Sequence, residues 1–160
     1  GEVNKGWTIA KYLLTHEREM IGGFGLTNAG SDTLGQTAVK ALGLEHGRMN
    51  SPLLRADVLK WEIDAAAFAA TAERVTDEVK SGQGVGATSA MLKYYGTELN
   101  KRRFEVLMKI KGSDAMIWDG ANSNGGAVPR TWLRTKGNSI EGGTSEVQLN
   151  IIAKNILGLG

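Results

Sequence analysis

Glu17 is the carboxylate with the most unusual surroundings in this chain. Trp7, Ala10, Leu14, Glu17 and Ile21 follow one another at spacings of three and four, and so do Ala10, Leu13, Glu17, Met20 and Phe24. On a helix that pattern forms one apolar stripe with a carboxylate inside it. Desolvation on such a face penalises the charged form of an acid. An acid there is paired with an arginine across the bundle, held neutral, or used as a base.

The second chemical feature lies at the other end. Gly142-Gly143-Thr144-Ser145-Glu146 runs into Val147, Ile151, Ile152 and Ile156 at helical spacing. Thr144 or Ser145 can cap that helix. Glu146 suits the positive end of its dipole. A glycine pair before a helix N-terminus lets a ligand approach backbone N–H groups closely. The spacing predicts a buried face of Val147, Ile151, Ile152 and Ile156, with Gly158 and Gly160 stopping the helix. An ordinary loop before a core helix is the alternative reading.

Composition removes several classes of function. The 160 residues carry a net charge of only +2, too small for a nucleic-acid or membrane footprint. Cysteine is absent, which excludes disulfides and thiolate metal sites. His16 and His46 are the two histidines, too few for a His-built metal centre. No apolar run approaches the roughly 20 residues of a membrane span. The default expectation is a cytoplasmic protein. A start at Gly1 followed almost at once by a helix reads as a piece of a longer protein.

The elements that position these residues are all helical in pattern. The first helix is expected from about Trp7 to about Gly22, extending at most toward Asn28. A second runs from Asp32 to Leu44, with Leu34, Ala38, Ala41 and Leu42 on its apolar side. Gly43 to Asn50 reads as a turn. Ser51 and Pro52 then open a long helix, as cap and first helical residue. It continues to about Lys80 through Leu53, Leu54, Val58, Trp61, Ala65, Phe68, Ala72 and Val75. Ser81 to Gly86 contains a GxG spacing without a preceding strand, which argues against a dinucleotide fingerprint. Thr88 or Ser89 caps a helix reaching Lys111, with Met91, Leu92, Tyr95, Leu99, Val106, Leu107 and Ile110 as its core face. Gly112 to Val128 reads as a long loop. Pro129 opens a short helix with Trp132 and Leu133, and Gly137-Asn138 ends it. No strand alternation persists. The expectation is an all-α, antiparallel four-helix bundle with extra short helices, spanning residues 1–160 as a single domain.

With the helices placed, the chain resembles the C-terminal helical domain of the acyl-CoA dehydrogenase family. Three stretches carry the likeness: Gly1-Glu2-Val3-Asn4-Lys5-Gly6-Trp7 through His16-Glu17-Arg18; Met91-Leu92-Lys93 with Gly96-Thr97-Glu98; and Gly142-Gly143-Thr144-Ser145-Glu146-Val147-Gln148 with Asn150-Ile151-Ile152-Ala153 and Ile156-Leu157-Gly158-Leu159. The last is the most specific. The wording is nearest to bacterial members, including large subunits that act on dicarboxylic or steroid-derived acyl-CoAs. The resemblance implies that an N-terminal helical domain and a middle β-domain precede this one in the complete enzyme. It also implies that the fragment alone lacks most of the flavin and acyl pocket.

What the family does sets expectations for single residues. It oxidises acyl-CoA to trans-2-enoyl-CoA, a carboxylate removing the α-proton while the β-hydride passes to FAD. Many members place that base immediately before the Gly-Thr of the closing motif, where this chain has Gly142. A minority place it on the active-site helix before an arginine, as Glu17 precedes Arg18 here. The resemblance thus assigns Glu17 as base, with Glu141 as competitor. It assigns Arg18 to the CoA portion, the Gly142 N–H to the thioester oxygen, and Gly143 to the acyl-CoA. Thr144, Ser145 and Glu146 match positions near FAD, and Lys109, before Gly112, stands where a glutamine often contacts FAD. The family's arginine-x-phenylalanine-glycine flavin contact is not visible in Gly43-Leu44-Glu45-His46-Gly47-Arg48-Met49-Asn50. No metal is implied. The implied partners are acyl-CoA, an electron-transfer acceptor protein, and further subunits in a homo-oligomer (dimer or tetramer) or a hetero-oligomer with a homologue. The alternatives are an acyl-CoA oxidase and a non-catalytic partner subunit; a nucleic-acid-binding bundle fits poorly.

Overall fold

A computed structural model describes residues 2–23, 32–121 and 123–160, with the backbone alone for 15–23. Its architecture is all-α. Six α-helices appear among the described residues: α1 (Gly6–Gly23), α2 (Leu34–Leu42), α3 (Pro52–Lys80), α4 (Thr88–Lys111), α5 (Ala127–Thr135) and α6 (Ser145–Asn155). Short 3-10 turns occupy Gly112–Met116, Asn124–Gly126 and Lys136–Ser139. Among the described residues the extended pairing is limited to one isolated antiparallel bridge, Glu45 with Arg48. The proposed extension of α1 beyond Gly23 lies outside the described residues.

Local chemistry explains most helix ends. Thr33 and Gln36 form a reciprocal capping box at α2: the Thr33 hydroxyl accepts from the Gln36 N–H at 3.1 Å, and the Gln36 side chain accepts from the Thr33 N–H at 2.9 Å. α3 begins at Pro52, whose missing N–H costs nothing in a first turn. α5 begins two residues before Pro129, which still falls within the first turn, where the N–H has no intrahelical acceptor. The long loop expected at 112–128 is therefore shortened by two 3-10 turns and the start of α5.

The contacts divide the chain into two compact units, and α3 and α4 each contribute to both. The unit made of Asn28–Ala67 and Glu98–Asn138 holds a hydrophobic cluster of Leu34, Ala38, Met49, Val58, Val106 and Ile110. Leu54, Trp61 and Leu107 pack against it. Here α3 and α4 run antiparallel, since Asp57 meets Lys109 at 2.7 Å and Asp64 meets Arg102 at 2.6 Å. The Trp61 indole N–H donates to the Leu99 carbonyl at 2.8 Å, satisfying the polar atom of a half-buried ring.

The unit made of Gly1–Thr27, Phe68–Thr97 and Ser139–Gly160 is packed differently. Phe68, Val75 and Ala90 are buried, and the Phe68 and Tyr95 rings stack at 6.0 Å. Yet Ser89, Lys93, Thr97 and Gln148 are buried with them. Buried polar side chains in such number need a reason beyond packing, because each requires hydrogen-bond partners.

Several expected core positions are not buried. Trp7 is 70% exposed on α1, and Leu13, Leu42, Leu53 and Tyr95 also face solvent. The apolar face expected on α6 is only partly covered: Ile151 and Ile152 are half-buried, but Val147 is 44% exposed and Ile156, just past the helix, 42%, whereas Gln148 is completely buried. Periodicity locates an apolar stripe, but partner helices decide which side of that stripe is covered.

Candidate active site

The glycine pair before α6 adopts backbone that side chains resist. Gly142 has φ +66° and Gly143 φ +92°. Thr144 then turns to extended backbone (φ −61°, ψ 159°) and caps α6, its hydroxyl accepting from the Val147 N–H at 3.4 Å. Of the two expected caps, Thr144 fills the position and Ser145 is the first helical residue. Glu146 lies exposed in the first turn, where its charge suits the helix dipole.

Two fully buried side chains hold this pair of glycines. Lys93 Nζ, reaching from α4, donates to the Gly143 carbonyl at 2.8 Å. The Gln148 Nε2, one turn into α6, donates to the Gly142 carbonyl at 2.9 Å and approaches the Gly143 carbonyl at 3.4 Å. A Cβ on Gly143 would lie 2.6 Å from that same Nε2. The positive φ favours glycine at 143, and a Cβ there would also displace the Gln148 amide from its bond to the turn.

Ser89, Lys93 and Thr97 recur every four residues and form a buried polar stripe along α4. The Ser89 hydroxyl donates to the Gly86 carbonyl at 2.9 Å, and the Thr97 hydroxyl to the Lys93 carbonyl at 2.9 Å. Both hydroxyls are absorbed by local backbone, which leaves Lys93 as the member of the stripe that reaches another element.

The remaining expected site residues fall as follows. Glu17 and Arg18 lie on the α1 backbone, and their side chains are outside the described residues. Lys109 belongs to the other unit, as does Gly112, whose φ of +57° follows the last turn of α4. Lys109 Nζ is bonded to Asp57. In that unit burial lowers the Arg103 pKa; its guanidinium lies over the Trp61 and Phe104 rings at 5.9 Å each. The bond from Lys136 holds the Glu105 carboxyl below its ordinary range. Among the described residues no cluster of His, Asp or Glu could hold a metal ion. No helix among them is long and apolar enough to cross a membrane.

A sequence profile described as acyl-CoA dehydrogenase, C-terminal domain, matches residues 4–157. The chain belongs to this family. It is 29% identical over 161 aligned positions to Acyl-CoA dehydrogenase FadE34 of Mycobacterium tuberculosis (strain ATCC 25618 / H37Rv), which covers 99% of this chain and 20% of that protein. The chain therefore spans about a fifth of the length of this curated relative. Among solved structures, the Tcur3481-Tcur3483 steroid ACAD superposes with a TM-score of 0.81 at 23% identity, covering 100% of this chain and 41% of that one. The ChsE4-ChsE5 complex from Mycobacterium tuberculosis gives 0.69 at 24% identity, over 100% and 42%. At these identities the likeness establishes the fold.

Sequence reasoning placed Lys93 and Gln148 inside the family-bearing stretches without giving either a role. The available signal was the four-residue spacing of Ser89, Lys93 and Thr97, a polar stripe on a helix otherwise described by its apolar face. Gln148 had a similar signal, since it lies four residues after Thr144 on the side of α6 that turns back toward the glycines.

Proposed function

We propose that this acyl-CoA dehydrogenase domain serves a complete enzyme that oxidises acyl-CoA to trans-2-enoyl-CoA with FAD. The observation that carries the reading is the Gly142-Gly143 turn, whose carbonyls are held by Lys93 and Gln148 at the start of α6. Removal of an α-proton beside a thioester needs a base in a dry site and donors at the carbonyl oxygen. Gly142 has no side chain to offer at the family's usual base position, so Glu17, which precedes Arg18 on α1, is proposed as the base in preference to Glu141, which lies one residue out of register. The Gly142 N–H is proposed to donate to the thioester oxygen as negative charge develops there. Gly143 lines the acyl group, and Arg18 binds the CoA portion.

FAD, when bound, supplies the hydride acceptor. Thr144, Ser145 and Glu146 at the α6 start are its proposed neighbours. The exposed Glu146 carboxylate suits a ribose hydroxyl or an adenine amine and disfavours a phosphate. Lys109 enters the proposal with its Nζ already bonded to Asp57, so a flavin contact there requires that partner to be exchanged. Gly112 would bring backbone to the same contact.

The similar solved structures are described as steroid ACADs or as a two-protein complex, which supports a hetero-oligomer and a bulky acyl substrate for this chain too. A homo-oligomer is the alternative assembly; a cytoplasmic location and an electron-transfer acceptor protein complete the proposal. The deciding experiment screens the complete protein on acyl-CoAs of differing length, including steroid-derived ones, with an artificial electron acceptor. Glu17→Gln is expected to abolish turnover with FAD still bound, while Glu141→Gln retains it. Near-normal turnover by Glu17→Gln would sink the assignment. Oxygen consumption in place of acceptor reduction would indicate the oxidase. FAD stoichiometry in a copurified pair of subunits identifies a non-catalytic member.

A further inference from the structure

We infer that Lys93 and Gln148 are positioning residues that aim the backbone of the Gly142–Thr144 turn at the reacting acyl group and the flavin. The inference rests on the acyl-CoA reading of the same turn. In a trans peptide the C=O and the following N–H lie in one plane and point in opposite directions, and the described chain contains no cis bond. The Gln148 amide holds the Gly142 carbonyl, and so fixes the Gly143 N–H on the opposite side of that peptide. Lys93 holds the Gly143 carbonyl, and so fixes the Thr144 N–H in the same way. Two successive peptide planes are pinned, and the plane carrying the Gly142 N–H adjoins the first of them across the φ and ψ of Gly142.

A turn of two positive-φ glycines would otherwise be among the loosest segments of the chain. Transition-state donors work only when they are already aimed, because reorganising them during the reaction forfeits their benefit. Lys93 and Gln148 remove that freedom from a distance. Neither side chain is exposed, so neither can touch a substrate itself: both have a relative exposure of 0%. Packing alone does not explain them. Leucine or methionine would fill the same volumes without burying polar atoms, and the two donors converge on adjacent carbonyls of one turn.

The test uses the complete FAD-containing enzyme with Lys93→Met and Gln148→Leu. Each variant is expected to lower kcat by roughly tenfold or more, with KM within about threefold and flavin content unchanged, since tenfold corresponds to about 1.4 kcal/mol of lost transition-state alignment. Amide hydrogen exchange in the ligand-free enzyme is expected to accelerate at residues 142–146 and to stay unchanged on α3. Unaltered exchange and kcat in the flavin-loaded variants would overturn the inference. If Lys93→Met does not fold, Gln148→Leu decides by the same two readouts. A wild-type enzyme that oxidises no acyl-CoA overturns the functional reading instead, and the exchange comparison still tells whether the two side chains hold the turn.

Discussion

Glu62 Oε1 accepts a 2.7 Å hydrogen bond from the backbone N–H of Gly35, the second residue of α2. A Cβ at position 35 would stand 2.9 Å from that oxygen, so the carboxylate occupies the space a side chain would need. An anion at a helix start is stabilised by the dipole and satisfies a donor that lacks an intrahelical partner. Glu62→Ala is expected to destabilise the protein by about 1–2 kcal/mol and Glu62→Gln by less. Gly35→Ala alone is expected to be nearly neutral, because the gain in helix propensity of about 1 kcal/mol is offset by the displaced carboxylate. In a Glu62→Ala background the same change should become stabilising. Chemical denaturation of the four proteins measures the coupling, and strict additivity would contradict the contact.

Glu105 and Lys136 form an ion pair, and the hydrogen bond from Lys136 is the leading cause of the lowered Glu105 pKa. The sign follows from linkage. A carboxylate with a lowered folded pKa contributes stability that is present above its ordinary value of 4.5 and lost as pH falls through the lowered one. Both side chains are more than a third exposed, so the contribution stays below about 1 kcal/mol. Glu105→Gln is expected to flatten the acid limb of stability against pH, lowering stability at neutral pH by up to about that amount and leaving it unchanged at low pH. A parallel acid limb in wild type and variant would refute the pairing.

Gly125 and Gly126 have nearly the same backbone, with φ of +64° and +66°, but different surroundings. A Cβ at 125 meets open space, whereas one at 126 would lie 2.5 Å from the Trp118 carbonyl oxygen. Trp118 is in turn covered by the Arg130 guanidinium at 4.0 Å. Gly125→Ala should cost about 1 kcal/mol from backbone strain alone, and Gly126→Ala more than about 2 kcal/mol. Thermal unfolding of the pair separates strain from collision; equal losses would show that the turn relaxes freely.

The two threonine caps differ in quality. At α2 the Gln36 N–H lies 3.1 Å from the Thr33 hydroxyl and a reciprocal bond completes the box. At α6 the Val147 N–H lies 3.4 Å from Thr144, with no such reciprocal bond among the described contacts. Thr33→Ala is expected to cost about 1–2 kcal/mol and Thr144→Ala roughly 0.5 kcal/mol. A larger loss at Thr144 than at Thr33, measured by denaturant midpoint, would reverse this ranking.

The helices were legible because their signals are local. Ser51-Pro52 placed the start of α3, and Thr144 before Ser145-Glu146 placed that of α6. Leu34, Ala38, Val58, Val106 and Ile110 were each found on the expected apolar sides and are buried. Trp7, Leu53 and Tyr95 were not, because a stripe is wider than the contact that covers it. The Gly142-Gly143 turn was legible as a glycine pair before a helix start, while Glu17 was singled out by its apolar stripe and Arg18 by the resemblance alone.

By itself, then, the sequence determined an all-α chain, its family and the place of the glycine turn, since each depends on near neighbours or on a contiguous motif. Which side chains hold that turn was decided by tertiary structure. Lys93 and Gly143 are fifty residues apart in the chain and 2.8 Å apart in space. No periodicity carries that fact. A lysine at 93 is an ordinary helical residue until the fold removes its water and supplies a carbonyl.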